Sequence, residues 1–256
     1  MAKPKISIVT PSFNQGKFLE RSILSVIDQG YSELEYIVID GGSLDESVVV
    51  LRKYEKYLAY WVSESDRGQS HALNKGLAMA TGDIVSWLGA DDWYEPGCFE
   101  NIAKAYAQGT TDILVGDCVV HYANTSKEVL LSPDCPTFSS LLRYWRPQFC
   151  PPQPSIFFPR SELDKVGLLD ETLHYGMDLD LWLRLSLSSR FRHVSSVLSH
   201  YLIHEDSKSG SGFNKFRTEW RMITRKYLST TSSMTRAGYY FDFYLDRLKR
   251  KFRSKK

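Results

Sequence analysis

Four short apolar runs, at residues 5–10, 34–39, 60–63 and 84–88, alternate with helix-like segments, and every run ends in a polar loop. Those loops are Pro11-Ser12-Phe13-Asn14-Gln15-Gly16, Asp40-Gly41-Gly42-Ser43, Glu64-Ser65-Asp66-Arg67-Gly68 and Gly89-Ala90-Asp91-Asp92. Between the first two runs Leu19, Ile23, Val26 and Ile27 recur at helical spacing and Gly30 can close the turn, while 46–57 and 69–80 read as further helices. Parallel strands need a crossover of about a dozen residues, so this rhythm predicts βαβ units. The expected fold is α/β, with a Rossmann-like, mostly parallel central sheet and helices on both faces. All four exit loops then share the carboxyl edge, where open sheets of this kind bind ligands.

Beyond Gly109 the rhythm changes. Residues 112–122 and 128–131 read as a hairpin, 133–154 as a Pro- and aromatic-rich connector, 178–188 as a helix and 194–203 as a strand. Residues 213–228 and 238–252 look helical. The expected organisation is a nucleotide-binding half at 1–109, an acceptor or catalytic half at 110–209, and a helical basic tail at 210–256.

The net charge of +2 conceals an asymmetry: 14 of the 32 Lys and Arg residues but only 3 of the 30 acids lie at 208–256, and seven of the last ten residues are basic. Such a segment suits an anionic surface. With Tyr239, Tyr240 and Phe241 ahead of the cations, 239–256 suits a helix lying on an anionic membrane face, and a solvated tail is the plainer alternative. Cys98, Cys118, Cys135 and Cys150 form no CxxC pair, which argues against a zinc site or dense disulfide frame and for a reducing compartment. With no leader-like segment and no apolar run near ~20 residues, the expectation is a cytoplasmic protein, peripheral to the membrane where the tail engages it.

Asp91 and Asp92 follow an apolar strand, where adjacent carboxylates repel and a divalent cation removes that penalty. Hard oxygen ligands there suit Mg²⁺ or Mn²⁺ carrying a phosphate. An Asx-turn or a cap for a helix near Pro96 is the alternative for one of the two. Asp40 ends its strand before two glycines and can serve either as a turn residue or as a ligand contact. Asp178 and Asp180 open a helix, where the dipole favours acids. Residues two apart face different sides, and Asp180 is matched to Arg184 at i,i+4. Asp178 is therefore the candidate general base. His204 lies just past a strand, as a structural residue or as a ligand.

Taken together, Ser7-Ile8-Val9-Thr10-Pro11-Ser12-Phe13-Asn14, Asp40-Gly41-Gly42-Ser43, Asp66-Arg67-Gly68-Gln69-Ser70 through Asn74-Lys75-Gly76, Ala90-Asp91-Asp92, Gln153-Pro154-Ser155 and Asp178-Leu179-Asp180-Leu181-Trp182-Leu183-Arg184 resemble family 2 glycosyltransferases. The match runs in order from Ile6 to about Ser209. The resemblance implies a GT-A fold, a nucleotide-sugar donor and inversion at the anomeric carbon. It implies that Pro11 and Phe13 line the base pocket, that Asp40 accepts from the base, and that Arg67, Gly68 and Asn74 help hold the nucleotide. Asn14 and Ala90 are counted among the donor-binding residues. Asp91 matches the last acid of the D-x-D signature, the metal ligand on the diphosphate, His204 a histidine that completes the metal site, and Asp178 the catalytic base. This sequence departs at Gly89, where the first acid of D-x-D often sits, and at His71, Met177 and Leu202, where Asp, Glu and Arg are common.

The resulting expectation is an inverting glycosyltransferase, with Mg²⁺ or Mn²⁺ as cofactor. It moves one sugar from a nucleotide-diphosphate sugar, a UDP-sugar being the commonest, to a glycan or lipid-linked glycan. A sugar nucleotidyltransferase should place a Gly-rich basic loop after the first strand, yet no basic residue precedes Lys17 there. A module gripping nucleic acid through the basic tail is the other rival; no nucleic-acid partner is expected.

Overall fold

Along the second strand the side chains alternate between two cores, Tyr36 and Val38 on one face and Ile37 and Ile39 on the other. That explains why the run is continuously apolar rather than alternating: both faces of the sheet are covered. The computed structural model describes residues 3–109, 111–146, 149–210 and 213–253. Its first half is β1 (Ile6–Ser12), α1 (Gly16–Ile27), β2 (Leu34–Asp40), α2 (Ser47–Tyr54), β3 (Tyr60–Ser63), α3 (Gln69–Met79) and β4 (Ile84–Trp87). Then follow β5 (Trp93–Tyr94), α4 (Cys98–Tyr106), β6 (Ile113–Tyr122), β7 (Lys127–Leu131), α5 (Phe138–Leu141), β8 (Ile156–Pro159), α6 (Arg160–Val166), α7 (Met177–Leu185), β9 (Phe191–Ile203), α8 (Phe213–Leu228) and α9 (Ser233–Arg253).

The strand order is β3-β2-β1-β4-β8-β6-β9-β5, with β7 paired to β6. The first four strands are parallel, as their crossovers require, and register opposes Ser12 to Asp40 and Asp40 to Ser63. From β8 onward the sheet is mixed: β8 runs antiparallel to both β4 and β6, and only β6 and β9 pair in parallel. Helices α1, α2 and α4 bury Leu19, Ile23, Leu51 and Phe99 on one face. Helices α3, α6, α7 and α8 bury Leu73, Leu163, Trp182 and Ile223 on the other.

The connector expected at 133–154 is not wholly irregular, for α5 forms within it behind a Thr137 cap that accepts from the Ser140 amide. The basic C-terminal segment is helical as expected, and its first helix is part of the main core. Trp220, Ile223, Tyr227 and Leu228 of α8 and Tyr239 of α9 are buried with α7. The expected boundary near 209 falls in the loop between β9 and α8. Residues 254–256, part of the basic terminus, lie outside the described residues.

Candidate active site

Three groups of side chains gather at the carboxyl edge of the parallel strands. The first is a slot between the β1 and β2 exit loops. Asp40 is buried there, and its carboxylate accepts from the Ser43 amide at 2.9 Å, the Ser43 hydroxyl at 2.5 Å and the Ser63 hydroxyl at 2.6 Å. It therefore braces its own loop first. Asn14, at φ 50°, accepts from the Leu44 amide at 2.9 Å and so stitches the two loops together. Phe13 stands exposed above them, while Pro11 is buried in β1. A Cβ on Gly41 would lie 2.5 Å from the Asp66 carboxylate and 3.3 Å from the Phe13 ring, so the absent side chain is what keeps this slot open.

The second group follows β4. The Asp91 carboxylate meets the His204 imidazole, with Nε2 3.0 Å from Oδ2. Nε2 then carries the proton, and the buried Nδ1 of His204 has no hydrogen-bond partner. Asp92 turns inward and accepts from the Leu202 amide at 3.0 Å. Burial, and then the neighbouring charge of Asp91, push its carboxyl well above the usual carboxylate range. Neither acid caps the following helix, whose N-cap is Gly97, so the capping alternative is corrected. Ala90 is buried and only its backbone can face the cleft. A Cβ on Gly89 would lie 2.8 Å from carboxylate oxygens of both Asp91 and Asp92, so this turn has no room for a side chain at that position. Arg21, missed in the sequence, donates to the Asp91 carbonyl at 2.9 Å and lies 3.6 Å over the Trp93 ring.

The third group surrounds the N-terminus of α7. Asp178 is half-buried, and its carboxylate accepts from the Leu179 amide at 2.7 Å. It lines a small aromatic cavity with Tyr144, Cys150, Trp182 and Trp220. Burial raises its pKa to about 6, against smaller opposing pulls from the Leu179 and Asp178 amides and then from Lys208. Asp180 does pair with Arg184 at 2.9 Å, but as a buried bond that also takes the Tyr227 hydroxyl at 2.9 Å. Glu219 of α8 accepts from the amides of His174, Tyr175 and Gly176 at 3.1, 2.7 and 2.8 Å. It thus satisfies amides just ahead of α7 for which no partner was legible in the local sequence. Arg67 reaches toward this group through Glu171 at 2.6 Å, Gly68 packs beside His174, and Asn74 holds both the Leu169 amide and its carbonyl at 2.9 Å.

Two contacts join the second and third groups. Trp87 of β4 stacks on Trp182 of α7 with centroids 5.2 Å apart and planes 10° from parallel. The half-buried Tyr201 of β9 feels the charges of Asp92, Asp91 and Asp178 together, and burial with those charges raises its pKa.

Among the described residues, no group of three or more His, Cys, Asp and Glu side chains converges on one point. The donors fit a divalent cation nonetheless: one carboxylate and one imidazole meet, and a second acid lies beside them, disfavoured as a charge by burial first and then by Asp91. Mg²⁺-type sites often use only one or two protein ligands and complete the shell with phosphate oxygens and water.

Residues 7–165 match the family model described as glycosyl transferase family 2. The chain is 32% identical over 201 residues to an uncharacterized glycosyltransferase of Mycobacterium tuberculosis, covering 77% of this chain and 75% of that protein. It is 26% identical to the GalNAc(5)-diNAcBac-PP-undecaprenol beta-1,3-glucosyltransferase of Campylobacter jejuni, covering 84% of this chain and 70% of that one. Among solved structures it is similar in fold to S. aureus TarS in complex with UDP-GlcNAc, at TM-score 0.67 and 18% identity over 86% of this chain. It also resembles a Pyrobaculum calidifontis mannosyltransferase in complex with GDP-Man and Mn²⁺, at TM-score 0.66 and 18% identity over 91% of this chain. The chain spans 65% and 66% of those two solved chains, just under two thirds of each. With a GT-A-like fold and a family match over most of its length, the chain is a glycosyltransferase and belongs to glycosyl transferase family 2.

Proposed function

We propose that the protein transfers one sugar, with inversion, from a nucleotide-diphosphate sugar to a hydroxyl of a glycan or lipid-linked glycan. The observation that carries this reading is the contrast between two carboxylates. Asp91 is paired to an imidazole at 3.0 Å, while Asp178, at the start of α7, is bonded to a backbone amide and has a raised pKa. One is suited to holding a cation and the other to taking a proton.

In this reading Phe13 covers the nucleobase and Asp40 accepts from it through a loop already braced by Ser43 and Ser63. Asn14 fixes the slot, and Arg67, Gly68 and Asn74 shape its far wall against the 169–174 loop. Asp91 and His204 would hold Mg²⁺ or Mn²⁺, which would supply positive charge to offset that developing on the departing diphosphate. Asp178 removes the acceptor hydroxyl's proton as that oxygen attacks the anomeric carbon from the side opposite the leaving group. Tyr144, Trp182 and Trp220 surround the Asp178 carboxylate with apolar surface, which keeps its surroundings poor in water. A UDP-sugar is the first donor to try, and the Campylobacter jejuni relative's name makes a polyprenyl-diphosphate glycan the first acceptor.

A screen of nucleotide sugars by thermal shift and by metal-dependent hydrolysis tests this. Stabilisation by one donor with Mn²⁺ or Mg²⁺ is expected, lost in Asp91→Ala and kept in Asp178→Asn, which binds without turning over. Full transfer activity in Asp178→Asn would overturn the assignment of the base.

A further inference from the structure

We propose that the outward face of α9 seats the protein on an anionic lipid bilayer. One side of α9 is committed to the protein: Tyr239 and Phe243 pack edge-on against Trp145 at 5.1 and 5.3 Å, and Asp242 binds Arg143 at 2.6 Å and Arg146 at 3.5 Å. Met234, Phe241, Tyr244, Leu245 and Leu248 occupy the opposite side, at spacings that form one stripe along the helix. Their exposures run from 36 to 84%, high for large apolar side chains that line up rather than scatter.

Charge is sorted the same way. Asp242 and Asp246 are half-buried, the former paired to arginines of the body, whereas Arg247 and Lys249 are exposed beside the stripe. The sequence then adds Arg250, Lys251, Arg253, Lys255 and Lys256. An outward face that is apolar and cationic, with its acids turned inward, is complementary to anionic headgroups over an acyl layer. A second copy of this chain would bring the same cations against themselves. No helix of the described residues is long and apolar enough to cross a membrane, so the contact is a surface one.

The placement gives the surface a use, and only that use rests on the reaction proposed above. Trp145, which α9 grips, follows Tyr144, and Tyr144 lines the cavity that Asp178 faces. Helix α9 and the Tyr144–Trp145 pair thus stand between the bilayer contact and the cavity beside Asp178, which sets the proposed reaction close to the membrane that would hold a lipid-linked acceptor.

Flotation of the full chain with vesicles tests the surface. Binding to phosphatidylglycerol–phosphatidylcholine vesicles is expected, with at least tenfold weaker binding to phosphatidylcholine alone. Phe241→Glu/Leu248→Glu should lower binding at least tenfold, with helix content, thermal midpoint and turnover of a water-soluble acceptor unchanged. Arg247→Glu/Lys249→Glu should weaken it at low salt, with the difference shrinking at high salt. Equal binding by the wild type and Phe241→Glu/Leu248→Glu, or no preference for anionic vesicles, would overturn the proposal. So would light scattering that shows the stripe variant turning a dimer into a monomer, or RNA that displaces the vesicles and binds the stripe variant as tightly as the wild type. Loss of soluble-acceptor turnover in Asp178→Asn, with vesicle binding intact, separates the surface from the reaction.

Discussion

The Asp91 carboxylate and the His204 imidazole meet at 3.0 Å from distant parts of the chain, one on the β4 exit and the other just past β9. Asp92 fastens the same junction by accepting from Leu202. The adjacent acids thus divide their work: one faces the cleft and the other ties two strands together.

Removing either member of the facing pair should weaken cation binding. Asp91→Ala and His204→Ala are expected to lower Mn²⁺ affinity at least tenfold in the presence of a nucleoside diphosphate, read by the electron paramagnetic resonance of free Mn²⁺. Unchanged Mn²⁺ binding in both variants would remove these residues from the metal site.

Filling the space beside the acids should have a structural cost. Gly89→Ala places a methyl 2.8 Å from both carboxylates and is expected to destabilise the fold by about 1–3 kcal/mol in urea unfolding. Asp92→Ala should also destabilise, by on the order of 1–2 kcal/mol, because the Leu202 amide loses its partner. A Gly89→Ala midpoint equal to wild type would show that the turn yields.

Asp178 should set the acid limb of activity. Its pKa near 6 means kcat climbs tenfold per pH unit below that value and levels above it. The stability effect has the opposite sense. A carboxyl whose folded pKa lies above its ordinary 3.8 favours the folded state at low pH, and this contribution is lost as pH rises through about 6. Asp178→Asn is therefore expected to be more stable than wild type above pH 7, by on the order of 1–2 kcal/mol after allowance for its partial exposure, and no more stable near pH 4. Thermal melts across that range check the sign.

Glu219 holds the approach to α7, the helix that carries Asp178. Glu219→Ala frees three amides ahead of α7 and should cost about 1–3 kcal/mol of stability. It should lower kcat more than KM for the donor and move the acid limb of the pH profile. A variant that is less stable but keeps both the profile and kcat would limit Glu219 to a structural role.

The parallel half of the fold was legible because short apolar runs with helical spacers admit few other solutions, and β1 to β4 lie where the pattern predicts. Asp91 was legible as an acid at a strand exit and His204 only as a residue just past a strand; the family resemblance joined them, and their contact depends on how β9 returns beside β5, which no local pattern encodes. Arg21 and Glu219 were invisible for the same reason: each is an ordinary helix residue until the chain brings a turn or a helix end to it. The β8 strand was hidden by its Pro-flanked, four-residue length, and the mixed half of the sheet with it.

Glu219 is made after the helix whose entry it holds, and the ribosome imposes that order on every copy. When α7 is made, the residue that takes the amides ahead of it has yet to be joined to the chain. A growing chain therefore carries those three amides without their final partner until α8 is made.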